Sequence, residues 1–154
     1  MTHSSSPHLV HRHPLRIEWG QCDPAGIVFN PQYLTIFNIT FGQLMMRTGL
    51  TLSELFAKYQ IFGVPMVDVN IKFYLPCWFD EEVVVESTVS HWGRSSFTLH
   101  HQVLKKEGVA VECQEKRVWA IVHPEDPRKM KSVPIPQDLI ACLSDPTGKT
   151  RLHR

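Results

Sequence analysis

Apolar and polar residues alternate through most of this chain, with one long exception near its start. Leu15, Ile17 and Trp19 alternate with Arg16 and Glu18. A period of two predicts a half-buried strand over 13–19. In the exception, Leu34, Phe37, Phe41, Leu44, Met45 and Thr48 recur at helical spacing. Asn30 is a good N-cap residue, Pro31 a good first helical residue, and Gly49 stands where the helix should stop. Ile36 and Ile39 fall off the stripe, so the helix is apolar nearly all round. Such a helix is wrapped by other structure rather than laid on a surface. Thr51 and Glu54 form a capping box and predict a second, short helix to about Tyr59.

The two-residue period then returns. Val67, Val69, Ile71, Phe73 and Leu75 alternate with Asp68, Asn70, Lys72 and Tyr74. Val83, Val85 and Val89 repeat the pattern up to Trp92. Phe97, Leu99, His101 and Val103 repeat it again beyond a Gly93-Arg94 turn. The KKEG turn leads into a long strand over 109–122. Short turns between successive strands require antiparallel neighbours, because a parallel pair needs a long crossover. The chain therefore reads as α+β, with five antiparallel strands and one long buried helix. A single domain is expected over 9–145, between flexible tails at 1–8 and 146–154.

Composition narrows the function classes. A chain of 154 residues has room for one domain with a substantial core. Its net charge of +1 argues against a nucleic-acid protein. No apolar run approaches a membrane span, and the opening residues lack a signal-peptide core. Cys22, Cys77, Cys113 and Cys142 include no C-x-x-C pair, so the expectation is reduced thiols in a cytoplasmic protein. His3, His8, His11 and His13 have no acidic or cysteine partner nearby. No metal and no cofactor is expected.

The stretch GQCDPAGIVFNP at 20–31 is where chemistry is suggested. A loop that only connects would be polar, yet this one sets Asp23 beside Ile27, Val28 and Phe29. A carboxylate in a partly dry place can attack a carbonyl or take a proton from water. Burial would raise its pKa and a helix N-terminus would lower it, so the sign is open. The structural alternative is an Asx-turn, in which Asp23 accepts from Ala25 or Gly26. His91, His100 and His101 lie far from this loop in sequence and are not expected to be catalytic.

CDPAGIVFNPQYL resembles the signature D-x-x-G-[IV]-V-x-x-x-x-Y-L of the 4-hydroxybenzoyl-CoA thioesterase family. Asp23, Gly26, Ile27, Val28, Tyr33 and Leu34 match it. The later block GVPMVDVNIKFYLPCWFDEEVVV, with Pro76 and Asp80, and the turn HWGRSSF are similar to further family segments. The resemblance covers roughly 13–140. It implies a hotdog fold, a five-stranded antiparallel sheet wrapped around the long helix. It also implies an acyl-CoA thioesterase acting on an aromatic thioester such as hydroxybenzoyl-CoA, or on a short- or medium-chain one.

In that reading Asp23 is the nucleophile or general base, the Asn30 amide stabilises the oxyanion, and Gly26 shapes the loop. Relatives often carry Tyr or His at Asn30, but any residue except proline supplies the amide. Arg94, Ser95 and Ser96 would hold coenzyme A, which is part of the substrate. Phe29, Tyr33, Phe37 and Met66, with Phe41, would line an acyl pocket. Lys105, Lys106, Arg117, Arg128, Lys129 and Lys131 are further basic candidates for the coenzyme phosphates. Two subunits joining sheets would make a homodimer or homotetramer. The rivals are an acyl carrier protein thioesterase and a non-catalytic acyl-binding protein. A dehydratase is weaker, since the loop offers no His partner to an acid.

Overall fold

The computed structural model describes residues 8–154. The stretch 1–7, most of the expected N-terminal tail, lies outside the described residues. Strand β1 (Val10–Arg16) is followed by helices α1 (Gln32–Met46) and α2 (Leu52–Tyr59). Then come β2 (Met66–Phe73), β3 (Glu82–Trp92), β4 (Ser96–Lys105) and β5 (Gly108–Val118). A small hairpin of β6 (Ala120–His123) and β7 (Asp126–Ser132) precedes α3 (Gln137–Ser144).

The main sheet has five strands in the order β1-β3-β4-β5-β2, each pair antiparallel. Alternation decides which face packs. Val83, Val85, Ser87 and Val89 of β3 and Phe97, Leu99, His101 and Val103 of β4 are all buried. Helix α1 packs on this face and splits the apolar core in two. Near its start, Tyr33 and Phe37 meet Val85, Val103 and Val111. Near its end, Phe41, Leu44 and Met45 meet Leu99, Trp119 and Leu139. Each fully buried side chain of this size contributes roughly 1.5–3 kcal/mol over an exposed one.

The helix begins later than its sequence suggests. Gln32, Tyr33 and Leu34 donate to Phe29, Asn30 and Pro31 carbonyls at 2.8, 3.2 and 3.2 Å. These tight i→i+3 bonds open the helix without a side-chain cap from Asn30. At the other end Gly49, with φ +90°, donates to the Met46 carbonyl at 3.0 Å. A left-handed angle there is why glycine stands past the last turn. The Thr51–Glu54 capping box on α2 forms as expected.

One chain does not wrap α1. Leu34, Ile39 and Met46 are exposed, and β2 is open to solvent along nearly its whole length. The expected strand over 109–122 also breaks. The Val118 and Trp119 N–H groups turn away to the Pro65 and Ser95 carbonyls, at 3.0 and 2.8 Å. After that break β6 leaves the main sheet and pairs with β7, a mostly exposed strand with no alternation to betray it. Helix α3 has no clear signature in the sequence, since it shows only a short apolar stripe, with Leu139, Cys142 and Leu143 buried.

Residues 146–154, expected as a flexible tail, carry a defined set of hydrogen bonds. The Asp145 carboxylate accepts from Thr147 and Thr150, and Leu152 donates to the Thr48 carbonyl at 2.9 Å. No described helix is long and apolar enough to cross a membrane.

Candidate active site

The segment after β1 is built almost entirely by local hydrogen bonds. A short 3₁₀ turn, Trp19–Gln21, is closed by Gln21 accepting from the Glu18 N–H at 2.8 Å. Asp23 and Ile27 then face each other, the Asp23 N–H donating to the Ile27 carbonyl at 2.9 Å. Within that loop Gly26 donates to the Asp23 carbonyl at 2.9 Å and takes φ +81°. A side chain is strained at that angle, so glycine is required for the loop to return.

The Asp23 carboxylate has two roles available at once. Its Oδ1 accepts from the Ala25 N–H at 2.8 Å, which is the Asx-turn. The second oxygen has no hydrogen-bond partner among the described residues. The Asx-turn therefore fixes the direction of a half-buried carboxylate and leaves one oxygen available. The two readings of Asp23 are compatible.

Beyond the loop the chain runs into α1. Phe29 donates to the Gln21 carbonyl at 2.9 Å, whereas the Asn30 N–H donates to no described residue. Helix N-termini favour anions, so a free N–H here is suited to a developing negative charge. Next to it lies a pocket of ≈ 270 Å³ walled by Ile27, Val28, Asn30, Tyr33, Phe73 and Tyr74. Tyr33 is buried, and that burial, with Cys77 beside its hydroxyl, pushes its phenol well above the usual range. A larger groove of ≈ 590 Å³ runs over β1, β3 and β4 between Arg12, Arg16, Glu82 and Lys106. It is separate from Asp23, and its Arg16 is already paired with Asp80 and Glu82.

A family model described as the thioesterase-like superfamily matches residues 17–143. The chain belongs to that family. The 4-hydroxybenzoyl-CoA thioesterase of Pseudomonas sp. (strain CBS-3) is 28% identical over 135 residues, 84% of this chain and 94% of that protein. Its solved three-dimensional structure superposes with TM-score 0.76 at 27% identity, covering 86% of this chain and 98% of that one. A gentisyl-coenzyme A thioesterase gives TM-score 0.73 at 29% identity, covering 85% and 99%. The five-stranded antiparallel sheet with its packed helix is the hotdog fold of these thioesterases.

Within this thioesterase-like chain the expected site residues do not all converge. Asp23, Gly26, Phe29, Asn30 and Tyr33 lie at the end of the sheet where β1 stops and β3 begins. Arg94, Ser95 and Ser96 sit beyond the other end of β3. That strand has 11 residues, so they are about 30–35 Å away. Met66 is at that far end too, paired with Arg117. Phe37 is 0% exposed and stacks on His101 at 4.9 Å, so it is core rather than pocket wall. Phe41 is likewise buried, under the Arg117 guanidinium at 4.2 Å. Phe73 and Tyr74 take the pocket positions instead.

Two of the basic candidates are internal. The Lys105 side chain is 5% exposed and paired with Glu81, and Arg117 is 6% exposed. Both charges are already paired inside the fold, although Lys105 also borders the ≈ 590 Å³ groove. Arg128 and Lys129 share Asp126 on the exposed β7, and Lys106 and Lys131 are on the surface.

The main feature missed in the sequence is a buried polar network beneath α1. Arg117 donates from Nε to Glu115 at 2.8 Å, from Nη1 to the Val64 carbonyl at 3.1 Å, and from Nη2 to Asn38 at 3.1 Å. His101 stands 3.3 Å from Glu115 on one side and 2.6 Å from Ser87 on the other. Burial pushes the Glu115 carboxyl up, but His101 and Arg117 outweigh it and hold the pKa below the usual value. A signal was present, because Val111, Cys113, Glu115 and Arg117 share one face of β5 by alternation. Among the described residues no cluster of three or more potential metal ligands exists.

Proposed function

We propose that this chain is an acyl-CoA thioesterase, hydrolysing a thioester to the free acid and coenzyme A. The observation that carries this reading is the Asp23 carboxylate, oriented through one oxygen by Ala25 and open at the other. It stands in the loop that leads to the unengaged Asn30 N–H and the α1 N-terminus. As nucleophile, Asp23 forms a C–O bond to the thioester carbon while the C–S bond breaks. The thiolate leaves with a proton from water, and a second water cleaves the resulting anhydride. As general base, Asp23 instead takes the proton of the attacking water, and the same C–S bond breaks. In both, the oxyanion meets the Asn30 N–H, a donor worth about 2.7–4 kcal/mol in the transition state.

The walls of Ile27, Val28, Tyr33 and Phe73 favour an apolar acyl group, aromatic or of short to medium chain. The relatives' named substrates, hydroxybenzoyl and gentisyl thioesters of coenzyme A, support the aromatic choice. All four cysteines are free, which supports a reducing, cytoplasmic setting.

The coenzyme end of the substrate is the reason for a second subunit. Arg94, Ser95 and Ser96 lie at the wrong end of their own sheet to serve the Asp23 of the same chain. Strand β2 is an exposed edge bearing Met66, Val67, Val69 and Phe73, and such an edge invites pairing. A two-fold join of β2 to its copy would bring the Arg94 end of one chain beside the Asp23 end of the other. We therefore expect a homodimer, or a dimer of dimers, by light scattering at micromolar concentration. A fully active monomer would contradict this.

If Arg94 grips a coenzyme phosphate, Arg94→Ala should raise KM and leave kcat nearly unchanged. The effect should shrink with a pantetheine thioester, which lacks the nucleotide. Equal losses on both substrates would assign Arg94 to the fold.

The reading itself is tested by thiol release from matched coenzyme A and acyl carrier protein thioesters. Turnover of the coenzyme A form is the expected result. Faster turnover of the carrier-protein form would favour that rival, and binding without turnover would favour an acyl-binding module.

A further inference from the structure

We infer that Lys105 is a positioning residue, which through the 76–81 turn holds the Asp23 loop in place. This rests on the role proposed for Asp23. The loop does not stand on its own bonds alone, because it docks on that turn at several points. Val28 donates to the Cys77 carbonyl at 2.9 Å, and Phe79 donates to the Gly26 carbonyl at 2.8 Å. Ile27 and Trp78 form an isolated antiparallel bridge between the same two segments. The turn in turn brackets Ile17, whose N–H donates to Glu81 and whose carbonyl accepts from Asp80, both at 2.9 Å.

Asp80 in this turn has φ +69°, a left-handed angle that aspartate tolerates better than most side chains but less well than glycine. Lys105, at the end of β4, supplies an anchor. Its ammonium donates to the Pro76 carbonyl at 2.6 Å and pairs with Glu81 at 3.0 Å. Glu81 passes the constraint on, its other oxygen accepting from the Trp78 N–H at 2.9 Å. One cation therefore ties both ends of the turn to the sheet. Arg16 completes the support from β1, donating to the Asp80 carbonyl at 2.9 Å and to its carboxylate at 3.1 Å.

A misplacement of about 1 Å at a reacting group can cost on the order of 10²-fold in rate. Lys105→Met should accordingly lower kcat by between about 10- and 10²-fold with KM within about twofold of wild type. Lys105→Arg, which keeps a cation able to reach both partners, should recover most of the rate. Hydrogen exchange gives a readout that needs no substrate. In Lys105→Met the Val28 and Phe79 amides should exchange faster, with Val89 and Leu99 amides unchanged. Should that variant fail to fold, Glu81→Gln keeps an acceptor for Trp78 and removes only the charge pairing, and the same pattern is expected.

Unchanged kcat and unchanged exchange would overturn the proposal. So would a rise in KM alone, which would make Lys105 a coenzyme contact, or uniform acceleration across the sheet, which would make it a general stabiliser. If the wild-type protein hydrolyses no thioester, the exchange pattern still judges Lys105 while the thioesterase reading fails separately.

Discussion

Replacing Arg117 with alanine should destabilise the fold by about 3–5 kcal/mol, the cost of leaving one charge of a buried pair without its partner. Arg117 joins three parts of the molecule through its bonds to Glu115 on β5, Asn38 on α1 and the Val64 carbonyl ahead of β2. Its removal strands the Glu115 carboxylate, which is 2% exposed and has only His101 besides. A urea titration should show the midpoint fall with little change in slope. Removing both charges together, as Glu115→Leu with Arg117→Met, should cost less than Arg117→Ala alone. Well-packed apolar residues often replace a buried ion pair at little loss. A single variant within about 0.5 kcal/mol of wild type would mean that the network carries no net stability.

The same network sets an acid limit. The folded pKa of Glu115 lies below its ordinary value, near 4.3 in an unfolded chain. The unfolded chain therefore binds the proton more readily, and stability is lost as pH falls through the folded value. Above the unfolded value the contribution is complete. Without Arg117 the upward push of burial is opposed by His101 alone, so the folded pKa moves up toward the unfolded one and this group's acid-driven loss of stability should be smaller in the variant. Urea midpoints measured from pH 7 down to about 3.5 would display the difference between the two proteins.

The sequence was most legible where one period ran long enough to exclude the other. Val83, Val85 and Val89, and Phe97, Leu99 and Val103, alternate over whole strands, and all six are buried. The central helix was legible from Phe37, Phe41, Leu44 and Met45, which face the sheet. The expectation of all-round burial fails at Leu34 and Ile39, and Met46 beside them is exposed as well. Those residues are apolar on a face that one chain leaves bare.

Elements that depend on non-local bonds were hidden. The break at Trp119 exists because Ser95 and Pro65, distant in sequence, accept its N–H and that of Val118. Local pattern carries no trace of this. The site was half legible. The loop motif announced Asp23 and Gly26, because the Asx-turn and the left-handed angle need those residues for local backbone geometry. Phe37 was misplaced because helical spacing does not tell a core face from a pocket wall. Arg117 and Lys105 stand among the basic candidates because the sequence pattern does not show that they pair with Glu115 and Glu81 inside the fold.

Asp23→Asn should lower kcat by at least about 10²-fold, since proton transfer by a positioned base contributes about 10²–10⁴-fold and an amide cannot perform it. The melting temperature should scarcely move. The asparagine oxygen can still accept from the Ala25 N–H, so the turn that holds the side chain survives. If Asp23 were only a turn residue, the outcome would be reversed, with some loss of stability and activity kept in the folded fraction. In a single turnover in ¹⁸O-water, an unlabelled acid with label in Asp23 would establish the nucleophilic route, with water attacking the Asp23 carbonyl of the anhydride.

The most direct test is free-thiol release by wild-type and Asp23→Asn protein on the same aromatic acyl-CoA, with equal melting temperatures verified first. Wild-type turnover with a loss of at least about 10²-fold in the variant is the predicted result. Equal rates in the two proteins would contradict the account.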